Sequence, residues 1–337
     1  MPDPIRLGLA EATDLLTQVF AACGCTPAAA VSVASALVAA EAEGQSGHGF
    51  SRVSDYAAQA RSGKVVADAT PVLERADGTA LTVDAGFGFA YPALDLALTA
   101  LVEAANTHGT ASVAIRNSHH CGALSVQVEK IAQAGLVGLM VANAPAAIAP
   151  WGARTPIFGT NPIAFAAPRA GGAAPLVIDL SLSKVARGKV MHARKSGQPI
   201  PEGWAFDSDG NPTTDPEAAL AGTMAPIGGA KGTALALMVE VLAATLTGAN
   251  ASREAGSFFT ADGERPGTGQ FLLALRPGDP GGFADRLESL LSDIAAQEGA
   301  RLPGTRRATA IARAEAEGID VPAAYVDEAR ALASSHG

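Results

Sequence analysis

From about residue 73 to residue 295 the chain alternates short runs rich in Val, Leu, Ile and Phe with longer alanine-rich stretches, and this alternation limits the fold more than any other feature. Runs at 80–83 and 111–115 flank an alanine-rich segment at 92–107, a strand–helix–strand pattern. Further strands are expected at 136–141, 162–167, 175–180 and 270–275, and helices at 231–247 and 281–298. Residues 196–217 are dense in Pro, Gly and Asp and predict a loop.

The first 64 residues read differently. Leu15, Leu16, Val19 and Phe20 recur at helical spacing, and Cys23-Gly-Cys25 interrupts. Thr26 followed by Pro27 predicts a capped helix start running through Glu43, and a third helix is expected over 52–61. The tail from 308 to 335 is helical and charged. The pattern predicts two parts: a mostly helical domain built from both chain ends, residues 1–72 plus 296–337, and an α/β domain over 73–295.

Composition narrows the function classes. With 48% hydrophobic and 17% charged residues in 337, the chain buries a large core. A net charge of −9 argues against nucleic acid or an anionic membrane surface as partner. Three cysteines, an odd number, fit reduced thiols in the cytoplasm. The longest uncharged stretch, 134–153, contains Asn143, Pro145 and Pro150, so it reads as a buried strand and a turn instead of a membrane span.

Several motifs fail on inspection. Gly86-Phe-Gly88 lacks the third glycine of the dinucleotide fingerprint, Tyr91 standing in its place. Asp207-Ser-Asp-Gly-Asn-Pro-Thr-Thr-Asp215 has its glycine two places early for a calcium loop, and Ala218 stands where the bidentate carboxylate belongs. His119, His120 and Cys121 are adjacent and have no partner pair at ligand spacing, so no metal site is assigned. Asn250-Ala-Ser252 matches a glycosylation sequon by chance.

Gly44-Gln-Ser-Gly-His-Gly-Phe-Ser-Arg52 is more informative. His48 and Arg52 are four apart, so a helix starting there would project both from one face. An arginine that grips a carboxylate beside a histidine that supplies a proton suits reduction of a 2-oxo or 2-imino acid.

Over nearly its whole length the sequence resembles the malate/L-lactate dehydrogenase family, which also contains 2,3-diketogulonate reductase and the piperideine-2-carboxylate/pyrroline-2-carboxylate reductases. The matching stretches are His48-Gly-Phe-Ser-Arg52, Arg116-Asn-Ser-His-His120, Ala149-Pro-Trp-Gly-Ala153, Phe158-Gly-Thr-Asn-Pro-Ile-Ala-Phe165, Val185-Ala-Arg-Gly-Lys189, Ile200-Pro-Glu-Gly-Trp204, Pro212-Thr-Thr-Asp-Pro216 and Leu235-Ala-Leu-Met-Val-Glu240. The resemblance implies a mixed-sheet, non-Rossmann NAD(P)-binding α/β core. It implies a homodimer with an active site shared between subunits, His48 as proton donor and Arg52 as carboxylate ligand. Thr160, Arg187 and Gly188 match positions lining the substrate pocket. His120, Cys121, Gly122, Ala123 and Leu124 match cofactor contacts, as do Asp179, Leu180 and Ser181, Ala230 and Lys231, and Arg301, Leu302, Pro303, Gly304, Thr305 and Arg306.

Two departures stand out. The serine that commonly precedes the family's catalytic histidine is Gly47 here, and the acidic residue that completes the relay in the cyclic-imine branch is Lys189. No serine–histidine–acid relay is therefore assigned. Asn117-Ser-His-His-Cys-Gly-Ala-Leu124, Gly228-Gly-Ala-Lys-Gly232 and Arg301-Leu-Pro-Gly-Thr-Arg-Arg307 look closest to the imine reductases. The implied reaction is reduction of Δ1-pyrroline-2-carboxylate to L-proline or of Δ1-piperideine-2-carboxylate to L-pipecolate. The alternatives are a malate, lactate, ureidoglycolate or diketogulonate-type 2-oxo/2-hydroxy acid dehydrogenase, a non-catalytic small-ligand binder, and a metal-dependent hydrolase or lyase. Lys231 and Arg306 suit a 2′-phosphate, which favours NADPH, with NADH as the other possibility.

Overall fold

The computed structural model describes residues 3–75 and 78–335; the outermost residues of the helical domain expected above, 1–2 and 336–337, lie outside them. A seven-stranded sheet forms the centre. Its strands are β1 (Val72–Arg75), β2 (Ala80–Asp84), β3 (Thr110–Ser118), β4 (Val137–Ala142), β5 (Ile163–Ala167), β6 (Leu176–Leu180) and β7 (Thr268–Leu275). They lie in the order β1-β2-β3-β7-β4-β5-β6. Only β2 and β3 run parallel, joined by the crossover helix Ala90–His108; every other neighbouring pair is antiparallel. The sheet is mixed, as the resemblance implies.

Alternation along the strands explains the layers. Met140, Ala142, Ala164, Ala166, Leu272 and Ala274 face a core shared with the helices Ala90–His108 and Leu124–Gln133. Leu139, Val141, Ile163 and Phe271 face the opposite way, into a second core under the helix Ala230–Glu240. Side chains at period two thus bury both faces of the central strands.

Both chain ends meet. The helices Leu9–Ala22 and Pro27–Ala42 pack on each other, and the first also packs on the last helix, Ala323–Ser334. Thr26 Oγ1 accepts from Ala29 N at 3.2 Å with Pro27 in the first turn, the cap its sequence predicts. The first residues are not all helical, however. Ile5–Leu7 pairs antiparallel with Ile319–Val321, which interrupts the tail between the helices Thr305–Glu317 and Ala323–Ser334. These are three-residue strands, too short to show a period.

Other expectations shift by local chemistry. Within 196–217 the strands Ala205–Phe206 and Pro212–Thr213 pair, and Asp215 caps the helix Pro216–Ala221. The uncharged 134–153 stretch becomes β4 and a loop. Among the described residues no helix is long and apolar enough to cross a membrane.

Candidate active site

His48 and Arg52 do meet, but not on one helix. Ser46–His48 and Phe50–Arg52 are separate 3-10 turns, and the helix Val53–Arg61 begins only afterwards. Gly49 breaks the run with ψ −129, and it must be glycine, because a Cβ there would overlap the Glu41 carboxylate. Glu41 in turn accepts from Phe50 N at 2.8 Å, which pins the second turn, and its burial pushes its pKa up. Arg52 Nε donates to Gly47 O at 2.7 Å, folding the guanidinium back towards His48. Arg52 NH1 lies 3.7 Å from Asp55, and its plane sits 4.6 Å over the Phe259 ring.

A second imidazole completes this centre. The longest strand, β3, ends at Ser118, and the following His119 and His120 lead into the helix Leu124–Gln133. His120 stacks on His48 with ring centroids 5.3 Å apart. Tyr56 Oη lies 2.6 Å from His120 Nδ1 and 3.2 Å from Tyr91 Oη. Tyr91 donating to Tyr56, and Tyr56 to Nδ1, satisfies the chain and leaves the His120 hydrogen on Nε2. His119 points elsewhere, its Nε2 3.0 Å from Gln59 Oε1. Phe258 closes the nest, 5.4 Å from the His119 ring and 5.0 Å from that of His120.

Desolvation governs the protonation of all three imidazoles. Burial, then the Arg52 charge, lowers His48 to about 4. Burial, then Lys64 and Arg52, lowers His119 to about 3, and burial with Arg52 holds His120 well below the usual range. All three are neutral at neutral pH. His48 Nδ1 is buried with no hydrogen-bond partner, a polar atom left over for a bound molecule.

The residues that the resemblance assigns to a substrate pocket sit on adjoining segments. Thr160 O accepts from Leu182 N at 2.8 Å, tying the turn before β5 to the segment leaving β6. That segment reaches Arg187 and Gly188 in the first turn of the helix Arg187–Lys195, and a Cβ on Gly188 would stand 4.0 Å from Arg52 NH2. Arg187 donates to Ala146 O at 3.2 Å and Leu220 O at 3.5 Å. Among the described residues no carboxylate pairs with it, and burial lowers its pKa.

Three of the four cofactor-matching stretches also come together. Asp179 Oδ2 accepts from Ser125 N at 2.8 Å, directly after His120–Leu124. Its charge, after burial, helps push the Cys121 thiol up to about 12. In the 301–306 turn, Gly304 has φ +80 and lies so close to the Val177 carbonyl that a Cβ would stand 3.0 Å from it, which places this turn along β6. Gly122, with φ +64, lies where a Cβ would meet the Tyr91 hydroxyl. A cradle of tight backbone, an acidic group and a neutral thiol fits a nucleotide cofactor held by main-chain contacts and not by a glycine-rich turn. Leu180 and Ser181 follow Asp179 at the strand end, and Ser181 Oγ lies 3.1 Å from Ser183 Oγ. Ala230 and Lys231 open their helix exposed; Ile227 N donates to Leu182 O at 2.8 Å nearby, yet no hydrogen bond joins Lys231 to the other stretches among the described residues. Arg301 and Arg306 are exposed.

Tyr56, Gln59, Lys64, Tyr91, Phe258 and Phe259 shape the centre and escape the sequence reading. Only Tyr56 left a local signal, one helical turn beyond Arg52.

The family model for malate/L-lactate dehydrogenase matches residues 7–329. A (2R)-3-sulfolactate dehydrogenase (NADP(+)) of Chromohalobacter salexigens is 50% identical over 98% of both chains. A Delta(1)-pyrroline-2-carboxylate/Delta(1)-piperideine-2-carboxylate reductase of Pseudomonas syringae pv. tomato is 42% identical over 95% of this chain and 94% of that one. The crystal structure of delta1-piperideine-2-carboxylate reductase from Pseudomonas syringae pvar. tomato superposes with a TM-score of 0.90 at 41% identity, covering 97% of this chain and 99% of the other. The chain belongs to the malate/L-lactate dehydrogenase family of oxidoreductases.

Proposed function

We propose that the protein uses NADPH to reduce C2 of a small 2-oxo acid that carries a second anionic group, such as 3-sulfopyruvate or oxaloacetate, to the 2-hydroxy acid. The observation that carries this choice is Arg187. Its guanidinium is part-buried, has two long bonds to carbonyls and no carboxylate partner among the described residues, and opens the helix whose Gly188 lies against Arg52. A buried cation without a counter-ion is costly unless a ligand supplies one. Lys189, exposed and unpaired among the described residues, adds positive charge where the imine branch carries an acid. Arg52 then holds the carboxylate shared by all these substrates, and Arg187 the second anion. The 50% identical relative is named for a substrate of this kind.

Bound NADPH supplies the hydride to C2. The chain's own residues do the rest. Arg52 fixes the carboxylate so that one face of C2 is presented. His48, which can take up a solvent proton once the bound carboxylate offsets the Arg52 charge, passes that proton to the substrate oxygen, with His120 Nε2–H beside it. Phe258 packs against His119 and His120 and keeps water from them, while Phe259 covers the Arg52 guanidinium. Lys231 and Arg306 favour NADPH over NADH, in line with the NADP(+) in that relative's name. Three buried free cysteines suit a cytoplasmic protein. The exposed stripe Leu235, Met238, Val241 and Leu246 suits a homodimer.

The second reading is reduction of Δ1-pyrroline-2-carboxylate or Δ1-piperideine-2-carboxylate, favoured by the Pseudomonas syringae relative and by the three imine-like motifs. Steady-state assays with 3-sulfopyruvate, oxaloacetate, pyruvate and both imines, each with NADPH and NADH, separate them. The dianions should show the highest kcat/KM, and Arg187→Gln should raise KM for them while leaving pyruvate unaffected. An imine ahead of every 2-oxo acid would establish the second reading instead.

A further inference from the structure

Arg307 was no part of the expected cofactor set, yet it is the hub of a buried charged network. It sits in the first turn of the helix Thr305–Glu317, one residue past the 301–306 turn. Its NH2 donates to Glu43 Oε1 at 2.6 Å and to Glu129 Oε2, and its NH1 to Glu129 Oε1 at 3.2 Å. The side chains of Arg307, Glu43 and Glu129 are 12%, 3% and 17% exposed, so these are not solvated surface pairs.

Glu43 passes the connection on. Its Oε2 accepts from Ser125 Oγ at 2.5 Å and from Gln45 Nε2 at 3.0 Å, and Gln45 Nε2 also donates to Ser125 Oγ at 2.9 Å. Gln45 O accepts from His48 N at 2.8 Å, which holds the turn bearing the imidazole. Ser125 N donates to Asp179 Oδ2 at 2.8 Å. One network therefore joins the ends of four separate segments: the His48 turn, the stretch after β3, the end of β6 and the 301–306 turn.

We propose that Arg307 is a positioning residue, which through Glu43 keeps the His48 turn in register with the three backbone stretches that face the cofactor. The inference rests on the NADPH reading given above. Arg307 touches neither reacting atom. Its guanidinium is the only ion-pair partner of Glu43 and of Glu129 among the described residues. Three carboxyls face the cluster: Glu43 from the end of the helix Pro27–Ala42, Glu129 from the helix Leu124–Gln133, and Asp179 from β6, where burial already pushes its pKa up. Cys121 beside Asp179 is a neutral thiol. Without the guanidinium, two desolvated carboxylates would repel and part the segments they join.

The test is Arg307→Met, read by nicotinamide fluorescence for NADPH binding and by kcat. At pH 8 both Kd for NADPH and kcat should worsen by about tenfold or more, the loss that parting of pre-organised segments gives. Adding Glu43→Gln to Arg307→Met should restore binding at pH 8, and Arg307→Lys should retain part of it. Unchanged Kd and kcat in Arg307→Met would overturn the proposal. So would a deficit indifferent to Glu43→Gln, which is the mark of simple misfolding. Failure of wild type to bind NADPH would remove the cofactor reading and this inference together; the other failures remove the inference alone.

Discussion

Replacing Lys64 by methionine should damage the active site without touching it. Lys64 is 5% exposed, and its Nζ donates to three carbonyls of one loop: Ser257 at 2.9 Å, Thr260 at 3.0 Å and Asp262 at 2.8 Å. Gln59 Nε2 adds a bond to Phe258 O at 2.8 Å. This loop carries Phe258 against His119 and His120, and Phe259 under Arg52. Methionine keeps the apolar stem and removes every donor.

Hydrogen bonds to a charged group net about 1.5–3 kcal/mol each. The outer loop residues Thr260 and Asp262 are exposed, so their freed carbonyls hydrate and the loss falls below the sum of three such bonds, to about 3 kcal/mol in all. With an unfolding entropy of about 2.1 cal/mol/K per residue, a chain of this length should lose about 4 °C in Tm. A loosened Phe259 forfeits a cation–π contact of about 0.5–2 kcal/mol, which translates to a fall in kcat/KM of about tenfold. Circular dichroism melting, limited proteolysis between residues 257 and 265, and steady-state kinetics measure the three effects. A variant with wild-type Tm, wild-type protease resistance and full kcat/KM would show that Lys64 does not hold the loop.

Four other outcomes follow from the same geometry. Gly49→Ala drives a methyl into Glu41 and should cost about 1–3 kcal/mol with a marked loss of activity, whereas Gly47→Ala, whose Cβ meets nothing within 4 Å, should fold and work normally; equal effects would contradict the geometry. His48→Ala should fold yet lose about 10²–10⁴-fold in kcat, and near-native turnover would reassign the proton donor. Because His48 and His119 titrate near 4 and 3 against a usual 6.5, the folded state binds fewer protons than the unfolded one between those values. Their stabilisation is complete above about 6.5 and is lost as pH falls towards 3–4, so urea midpoints should drop across that window, and a flat profile would refute the shifts. Sedimentation should give a dimer for wild type and a weakened one for Leu246→Glu, and a monomeric wild type would remove the stripe's assigned role.

Much of the scaffold was legible because its elements are locally periodic. The expected run at 136–141 is Val137–Ala142 in the structure, 92–107 is Ala90–His108, and 281–298 is Pro280–Ala295. Thr26-Pro27 announced its helix by capping chemistry alone. The pairing of His48 and Arg52 was legible because they carry their chemistry in their side chains, and the structure does bring them together. What stayed hidden is held by contacts between distant segments. Lys64 grips a loop almost two hundred residues away through carbonyls, which any sequence supplies. Arg307 reaches Glu43 across 264 positions. The helix expected over His48 and Arg52 failed because Gly49 answers to Glu41, eight residues earlier, and not to its neighbours. Spacing encodes the face of an element; it does not encode which loop a buried cation will close upon.

The three imidazoles show why such contacts matter to chemistry. A histidine in water would be about half protonated near pH 6.5. Here the aromatic nest of Tyr56, Phe89, Tyr91 and Phe258 strips away solvent, and the fixed Arg52 charge opposes any further positive charge. Burial and the Arg52 charge therefore favour neutral imidazoles, the state that can accept a proton. A bound carboxylate cancels the Arg52 charge, and the charge penalty on His48 falls with it. On the proposed reading, the side chain that holds the substrate carboxylate thus also lifts the pKa of the adjacent imidazole towards the range where it can donate. That reading couples binding and proton delivery through a single guanidinium, which the Gly47 carbonyl holding Arg52 Nε keeps beside His48.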